Sequence, residues 1–335
     1  MVKQWDVHHF IEIAEVGYPN VDPNLIAFFP GLPVSMWLLG KLGISATVAG
    51  LLIANISALF AALALGRLSG RWAALAWLVA PAGVFAFVGY TEGPFTAAFF
   101  WAWERARRGK WGAAAAFASL ASVFRVSGIF VIAALVVIAL LEAKNWAERR
   151  RALAWLTVPV LAAGVYHLYV WWLTSDPMGW SHAQAAGWPR SFHWPWEALN
   201  TTWGSTSVEA SPFFYLLFRY EFAAALFTAP FLVYLLMRKR WPELVFITLN
   251  FAAFSFSDFY LSYARSMLYW LPLWLLIGEL LGDKAQAGGQ LELQVKPRVQ
   301  WLRWVRLVAA VVYLGVSAWA MDFWANIFFT GQWAG

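Results

Sequence analysis

The segment Trp5-Asp6-Val7-His8-His9-Phe10 places a carboxylate and two imidazoles at the start of a chain that is otherwise mostly apolar. A second, partly apolar stretch follows and contains Ala27-Phe28-Phe29-Pro30-Gly31-Leu32-Pro33. Pro30 and Pro33 are spaced as at the entry to a helix, where the first turn tolerates missing N–H donors. The apolar remainder predicts a set of membrane helices that hold this polar segment at one face of a bilayer.

The composition is that of an integral membrane protein. Of the 335 residues 61% are hydrophobic and 13% are charged, whereas a soluble domain carries about twice that charged fraction. The absence of cysteine excludes disulfides, zinc–thiolate sites and thiol catalysis. The formal charge of +6 indicates membrane orientation and not nucleic-acid binding, because short basic loops stay in the cytoplasm. Abundant Ala, Trp, Gly and Arg with few Lys indicate a bacterium with a GC-rich genome.

The apolar segments predict an all-α, polytopic membrane protein with about ten transmembrane helices, since a helix crosses the hydrocarbon core in about twenty residues. The predicted helices are 46–66, 72–90, 93–106, 111–125, 128–143, 152–174, 213–237, 241–258, 262–281 and 304–325. The whole chain is predicted to form a single domain. Its parts are an extracytoplasmic juxtamembrane segment 1–43, a helical module 46–174, an extracytoplasmic loop 175–212 and a second helical module 213–335.

The basic residues predict the orientation of these helices. They collect in the loops 67–71, 105–110, 144–151, 238–240 and 284–298. If all of these loops are cytoplasmic, the segments 90–92, 124–128, 175–212 and 257–265 fall outside together with the N-terminal segment. This orientation requires that the stretch 25–43 lies at the interface or re-enters the bilayer without crossing it.

The ionisable residues with the least obvious structural role, Asp6, Glu92, Arg125 and Arg265, all fall on that outer face. Such residues near a membrane are costly and are functional candidates by default. Each also has a simple structural explanation. Asp6 can cap a helix, Glu92 can complement a helix dipole, and an arginine can reach toward lipid headgroups. Because these explanations do not account for their shared face, we predict that Asp6 is a catalytic base there.

Motifs of other enzyme classes are absent from the sequence. It contains no phosphate-binding glycine loop, no Gly-x-Ser-x-Gly elbow and no His-Glu-x-x-His pair, which disfavours an ATP-driven pump and the corresponding hydrolases. Asp6, His8 and His9 are suitable metal ligands if Glu12 or Glu92 helps. Since side chains one to three positions apart on a helix do not all converge, a divalent metal is the less favoured alternative, and no cofactor is predicted.

The combined spacing Trp5-Asp6-x-x-His9-Phe10-x-x-Ile13-Ala14-x-x-Gly17-Tyr18, followed by Ala27-Phe28-Phe29-Pro30-Gly31-x-Pro33, resembles the N-terminal signature of the PIG-V family. These are the mannosyltransferases that add the second mannose in glycosylphosphatidylinositol synthesis, together with their bacterial relatives. The resemblance continues through Ala54-Asn55, Pro81-Ala82-x-Val84-Phe85, Gly89-Tyr90-Thr91-Glu92-x-x-Phe95 and Arg125-x-x-Gly128. It covers the first 130 residues well and the remainder, including 265–270, weakly.

The resemblance implies a GT-C glycosyltransferase fold in which an acidic residue of the first extracytoplasmic loop serves as base. Asp6 occupies the position of that residue. The implied donor is a sugar, mannose in the family, on polyprenyl phosphate. The expected acceptor is a hydroxyl group of a glycolipid, a glycan or a protein at the extracytoplasmic face of the bacterial plasma membrane.

Further site residues are expected on the same grounds. Arg125 and Arg265 are candidates for binding the donor phosphate, because a planar guanidinium matches phosphate oxygens in bidentate fashion. His9 is expected to orient the base or to bind phosphate. Tyr90 and Glu92 are expected to hold sugar hydroxyls.

Two departures from the family pattern keep a non-enzymatic alternative open. Family members usually have a transmembrane helix before the Trp-Asp motif, and eukaryotic members tend to have Glu where this chain has His8. Here Met1 lies four residues ahead of Trp5, so either the start is truncated or this member has lost that helix. Loss of the helix would favour a non-catalytic membrane scaffold subunit derived from the same fold. A transporter is the other alternative, although the sequence shows no repeated halves of the kind that transporters often have.

Overall fold

The computed structural model describes residues 3–188, 190–207, 214–281 and 300–331. All regular structure in these ranges is helical, without a β-strand. The α-helices are α1 (Asp6–Val16), α2 (Gly31–Gly40), α3 (Ala46–Ser69), α4 (Arg71–Leu78), α5 (Val84–Phe87), α6 (Glu92–Arg107), α7 (Trp111–Phe124), α8 (Gly128–Glu142), α9 (Trp146–Thr174), α10 (Gly179–Gly187), α11 (Pro195–Ser205), α12 (Phe214–Met237), α13 (Trp241–Ser255), α14 (Tyr263–Ser266), α15 (Leu271–Leu281) and α16 (Gln300–Phe329). Short 3₁₀ helices span Tyr18–Asn20, Pro23–Ala27 and Met267–Tyr269. The basic loop predicted at 284–298 lies outside the described residues.

Four of the described helices are long and apolar enough to cross a membrane. They are α3, α9, α12 and the part of α16 from Leu307 to Phe329. The helices α2, α7, α8 and α15 are apolar but shorter. The fold is therefore that of a helical membrane protein. The number of about ten crossings stays a prediction, because α7 and α8 each rise only about 22 Å against a hydrocarbon core of about 30 Å.

Two predicted helices are wrong as continuous elements. The segment 72–90 breaks between α4 and α5, because Pro81 has no N–H to donate and disfavours helical backbone at Ala80. The segment 262–281 divides into α14, a 3₁₀ turn and α15. Pro272 fits the first turn of α15 but would interrupt a helix that continued from Tyr269. Both breaks lie next to residues of the site described below.

The N-terminal segment packs onto the helical bundle as short elements. The helix α1 buries Val7, Phe10 and Ile11 against its neighbours. With ten residues α2 rises only about 15 Å, too little to cross a bilayer alone. The predicted loop 175–212 contains α10 and α11, and α10 packs on the 3₁₀ helix Pro23–Ala27. Trp180 Nε1 and Gln184 Nε2 each donate to the Ala27 carbonyl at 3.2 Å.

The helix α6 lies at the centre of the described bundle and packs against α3, α7 and α8. Small residues such as Ala58 on α3 and Ala118 on α7 are fully buried and allow close approach of the backbones. A Cβ on Gly93 would lie 2.7 Å from the Ala86 carbonyl oxygen and 3.0 Å from that of Ala54. Since this position admits no side chain, the start of α6 is held tightly against α3 and α5.

Candidate functional site

Glu92 forms the centre of a buried charge cluster at the start of α6. Its side chain is fully buried, and the first turn of a helix stabilises negative charge. Its Oε1 lies 2.8 Å from Nη1 of Arg125 and 3.0 Å from Nε of Arg265. A buried carboxylate without partners would be costly, so the two guanidinium groups and Glu92 stabilise one another.

Arg125 reaches the cluster from the turn between α7 and α8. This turn is tight, because a Cβ on Gly128 would lie 2.4 Å from the Ser122 Cα. Nη1 of Arg125 donates to Thr91 Oγ1 at 2.7 Å as well as to Glu92. The guanidinium therefore stands at the start of α6 and does not extend toward lipid headgroups.

Arg265 is carried by the short helix α14, whose entry is set by the backbone. Ser262 adopts a left-handed conformation with φ 60°, which is uncommon for a residue with a side chain. Oε2 of Glu221, on α12, accepts the backbone N–H of Ala264 at 2.8 Å. This buried hydrogen bond fixes the turn, and with it the direction in which Arg265 leaves the backbone.

The guanidinium of Arg265 links the two carboxylates of the cluster. Its Nη2 lies 3.7 Å from Oδ2 of Asp6, while its Nε faces Glu92. Its Cζ lies 5.0 Å from the ring centroid of Phe85 and 5.1 Å from that of Tyr90. Aromatic faces next to a guanidinium stabilise its charge, so the position of Arg265 is determined on several sides.

Asp6 stands at the first turn of α1, at the edge of the cluster. Trp5, which precedes it, has φ 53°, a backbone strain on the order of 1–3 kcal/mol that the surrounding contacts must offset. The Asp6 side chain is 22% exposed, in contrast to the fully buried Glu92. Burial raises the pKa of the Asp6 carboxyl above its ordinary value of 3.8, although the positive charge of Arg265 opposes the rise.

Tyr90 and His9 lie beside the cluster, and both interact electrostatically with Asp6. The buried Tyr90 ring packs against Phe85 and Phe328 and lies beside Arg265. His9 is close enough to Asp6 to act on its charge, but its ring packs 5.5 Å from Phe28. His9 therefore packs among aromatic rings next to Asp6, and its role in orienting the base or binding phosphate stays a prediction.

Arg190, on the long loop, is a charged neighbour that the sequence analysis missed. Its guanidinium interacts electrostatically with Glu221, Arg265, Arg125 and Tyr269. A lone arginine in a tryptophan-rich loop carries no motif or spacing that would single it out. Only the folded path of the loop, which returns to the segment before α14, reveals the proximity.

Several buried polar atoms around the cluster remain available to a polar ligand. Within the described residues, Glu92 Oε2, Tyr269 Oη and His9 Nδ1 have no hydrogen-bond partner. Buried polar atoms in folded proteins nearly always have one. An open groove of about 320 Å³ lies farther along α1, lined by residues such as Glu15 and Trp37, and does not include Asp6.

The cluster thus combines a partly accessible carboxylate with guanidinium groups from distant parts of the chain, which suits proton transfer beside an anion. In the described part of the protein, no group of three or more His, Asp or Glu side chains is arranged to hold a metal ion. Comparison with protein-family models, curated proteins and solved structures finds no match. The resemblance to the PIG-V family therefore stays a prediction from the motifs.

Proposed function

We propose that this protein is an inverting glycosyltransferase of the PIG-V and GT-C type, with Asp6 as its base. The donor is a sugar, mannose, on polyprenyl phosphate. The acceptor is a hydroxyl group of a glycolipid, a glycan or a protein at the extracytoplasmic face of a bacterial plasma membrane. The observation that carries the proposal is the convergence of Asp6, Arg125 and Arg265 around Glu92.

The chemistry requires one base and a site for a leaving phosphate. The acceptor oxygen bonds to the anomeric carbon as the bond from that carbon to the phosphate oxygen breaks, and the electron pair leaves with the phosphate. The acceptor proton passes to Asp6, which later releases it to water. A single carboxylate suffices for one displacement with inversion, unlike the carboxylate pair of a glycosidase.

The arginines supply the positive charge that this displacement needs. Arg265 lies beside Asp6, so a phosphate bound by Arg265 would place the anomeric carbon near the base. In the part of the chain that the structure describes, Arg125 has no ion pair with Asp6 and is connected to Arg265 through Glu92, with which both arginines pair. Because Glu92 is fully buried between the two guanidinium groups, we assign it to positioning them, in place of the sugar-binding role expected from the sequence.

The proposal is tested with Asp6→Asn in the purified full-length protein in detergent micelles. Two reactions of polyprenyl-phosphate mannose are measured. The first is transfer of mannose to a membrane-lipid extract, and the second is hydrolysis of the donor to free mannose. Loss of a positioned base lowers the rate by about 10²–10⁴-fold. Asp22→Asn is the matched control, since Asp22 is an exposed carboxylate of the same segment that caps a 3₁₀ helix.

A folded Asp6→Asn variant with near wild-type turnover removes Asp6 from the mechanism. If the wild-type protein neither transfers nor hydrolyses any polyprenyl-phosphate sugar but co-purifies with other membrane proteins, the scaffold alternative is favoured. Movement of a solute across vesicles that contain only this protein would favour the transporter.

A further inference from the structure

Arg190 is held at the edge of the charge cluster by contacts that leave most of its donors unused. Its Nη2 donates to the Leu261 carbonyl at 2.8 Å, and its Cζ lies 5.0 Å from the ring centroid of Phe254. A guanidinium has five N–H donors in a planar fork. The side chain is only half-buried, so the remaining donors can meet a ligand that enters the cluster.

The charges around Arg190 favour an anion. Arg265 and Arg125 act on Arg190 as like charges, while Glu221, the carboxylate that offsets its charge most, also accepts the backbone N–H of Ala264. Burial and the like charges lower the pKa of Arg190 to about 10, so it stays protonated at neutral pH. A bound anion would offset the positive charge that Arg190 adds beside the paired Arg265 and Arg125.

The proposed reaction changes the charge of its phosphate. In the donor the phosphate is a diester with a single negative charge. When the sugar leaves, the polyprenyl phosphate becomes a monoester whose charge at neutral pH is about −1.5 to −2. Two arginines that are paired with Asp6 and Glu92 already have their charges balanced, so the additional negative charge requires a further cation.

We propose that Arg190 binds the phosphoryl group as a third arginine and compensates the second negative charge, which develops on the departing polyprenyl phosphate. This inference rests on the proposed function for its substrate. It predicts that Arg190 distinguishes the product, a phosphate monoester, from the donor, a diester. Arg190 would thereby act more on the rate of transfer than on the binding of the donor.

The backbone next to Arg190 is anchored by other side chains. Ser191 N and Oγ donate to Asp258 at 2.7 and 2.9 Å, and Nε2 of His193 lies 3.1 Å from Asp258 Oδ1. These contacts join the loop to the segment before α14 without the Arg190 side chain. The fold of the loop should therefore survive Arg190→Gln.

The experiment measures binding of polyprenyl phosphate and of the polyprenol of equal length to the full-length protein in micelles. The wild-type protein should prefer the phosphate. Arg190→Gln should weaken phosphate binding by about tenfold or more and leave polyprenol binding unchanged, since a hydrogen bond to a charged group contributes about 1.5–3 kcal/mol. Arg190→Lys should keep part of the preference. Arg219→Gln, at an exposed arginine on α12, should keep all of it.

Each other outcome is decisive. If Arg190→Gln binds polyprenyl phosphate like the wild-type protein, the inference is overturned. An equal loss for phosphate and polyprenol assigns Arg190 a structural role and also overturns it. If phosphate binding depends on Arg190 while Asp6→Asn turns over normally, the anion site stands and the proposed function fails. If phosphate binding is normal but donor turnover falls only in Asp6→Asn, the proposed function stands without Arg190.

Discussion

The two ends of α6 each carry a buried glutamate among arginines, but two of the arginines at the second end are much more exposed. At the first end, Glu92 meets Arg125 and Arg265, whose side chains are 21% and 10% exposed. At the other end, about 18 Å along the helix, Glu104 meets Arg67, Arg105 and Arg108. Arg67 and Arg108 are 48% and 43% exposed.

This difference in the exposure of the arginines distinguishes the candidate site at Glu92 from the cluster at Glu104. Around Glu104 three arginines surround one carboxylate, and the excess positive charge is hydrated and suits a cytoplasmic loop. Around Glu92 the charges are nearly balanced and desolvated, so each group depends on the others. Distant elements also converge at the other end, where Arg107 pairs with Glu142 and Glu243, but the Glu92 end is the one that includes Asp6. A buried, balanced cluster at a helix start is therefore the better functional candidate, although both ends have similar residues.

The largest expected effect of replacing one of the two glutamates is on the stability of the protein. Glu92→Gln leaves Arg125 and Arg265 buried without their shared counter-charge, which should cost about 3–5 kcal/mol of unfolding free energy. Glu104→Gln leaves partly hydrated arginines and should cost about 1 kcal/mol. Titration of the purified proteins with SDS in mixed micelles, followed by tryptophan fluorescence, compares the two variants with the wild-type protein.

Equal losses at the two ends would contradict the distinction. A smaller loss for Glu92→Gln than for Glu104→Gln would mean that the guanidinium groups near Glu92 are hydrated or find other acceptors. A suitable control is Glu15→Gln, because Glu15 is an exposed carboxylate on α1 away from both clusters.

The second effect concerns the donor. Arg265→Ala should weaken binding of polyprenyl-phosphate mannose by about 1.5–3 kcal/mol, the contribution of hydrogen bonds to a charged group. Arg108→Ala, at the opposite end of α6, should leave donor binding unchanged. Titration of each variant with the donor, and separately with the acceptor extract, tests the assignment. If acceptor use suffers and donor binding does not, Arg265 does not bind phosphate.

The sequence predicts that the charged residues of the site lie on one face of the membrane, because the basic loops alone determine the expected orientation of the helices. Placing 67–71 and 105–110 on one side forces 90–92 and 124–128 to the other. Asp6, Glu92 and Arg125 also stand in the N-terminal motifs that carry the family resemblance. The structure brings the side chains at these positions together.

Other features depend on tertiary packing and could not be predicted from the sequence. Hydropathy alone joins 72–90 into one helix, because it does not weigh the missing N–H of Pro81 against a run of apolar residues. Arg190 meets Leu261, which is 71 positions away, through a loop path that no periodic pattern encodes. The ring contacts of His9 with Phe28 and with Trp188, which lies on the long loop, likewise depend on the folded path of the chain.

A third expected effect is the pH dependence of activity and stability at the end of α6 that carries Glu92. Asp6 must be deprotonated to act as base, so kcat/KM should rise with pH, with its midpoint above 3.8 because burial raises the pKa of Asp6. The contribution of Asp6 to stability should change with pH in the opposite direction. A carboxyl with a raised folded-state pKa favours folding below its unfolded pKa, and this contribution is lost as pH rises through the folded pKa.

The two pH effects can be separated with one variant. Asp6→Asn should remove the acid limb of the pH–rate profile together with most of the activity. Relative to the wild-type protein, the variant should become more stable as pH rises through the folded pKa of Asp6, because only the wild-type protein loses this contribution. A wild-type midpoint at or below 3.8 would mean that Arg265 outweighs burial at Asp6.

The smallest expected effect is at the exposed end. The pair of Arg108 Nε with Glu104 Oε1, at 2.7 Å, is an i,i+4 pair on α6, and such pairs contribute about 0.3–0.5 kcal/mol. Glu104 keeps Arg67 and Arg105 in Arg108→Gln, so the loss should stay below about 1 kcal/mol and decrease further in 1 M salt, which screens exposed charges. SDS titration at low and high salt measures it. The ion pairs described at this end, of Glu104 with Arg67, Arg105 and Arg108, lie about 18 Å along α6 from Glu92, so turnover and donor binding should be unchanged. A loss of activity in Arg108→Gln would instead show that α6 couples its two ends, and the buried cluster could no longer be treated as an independent site.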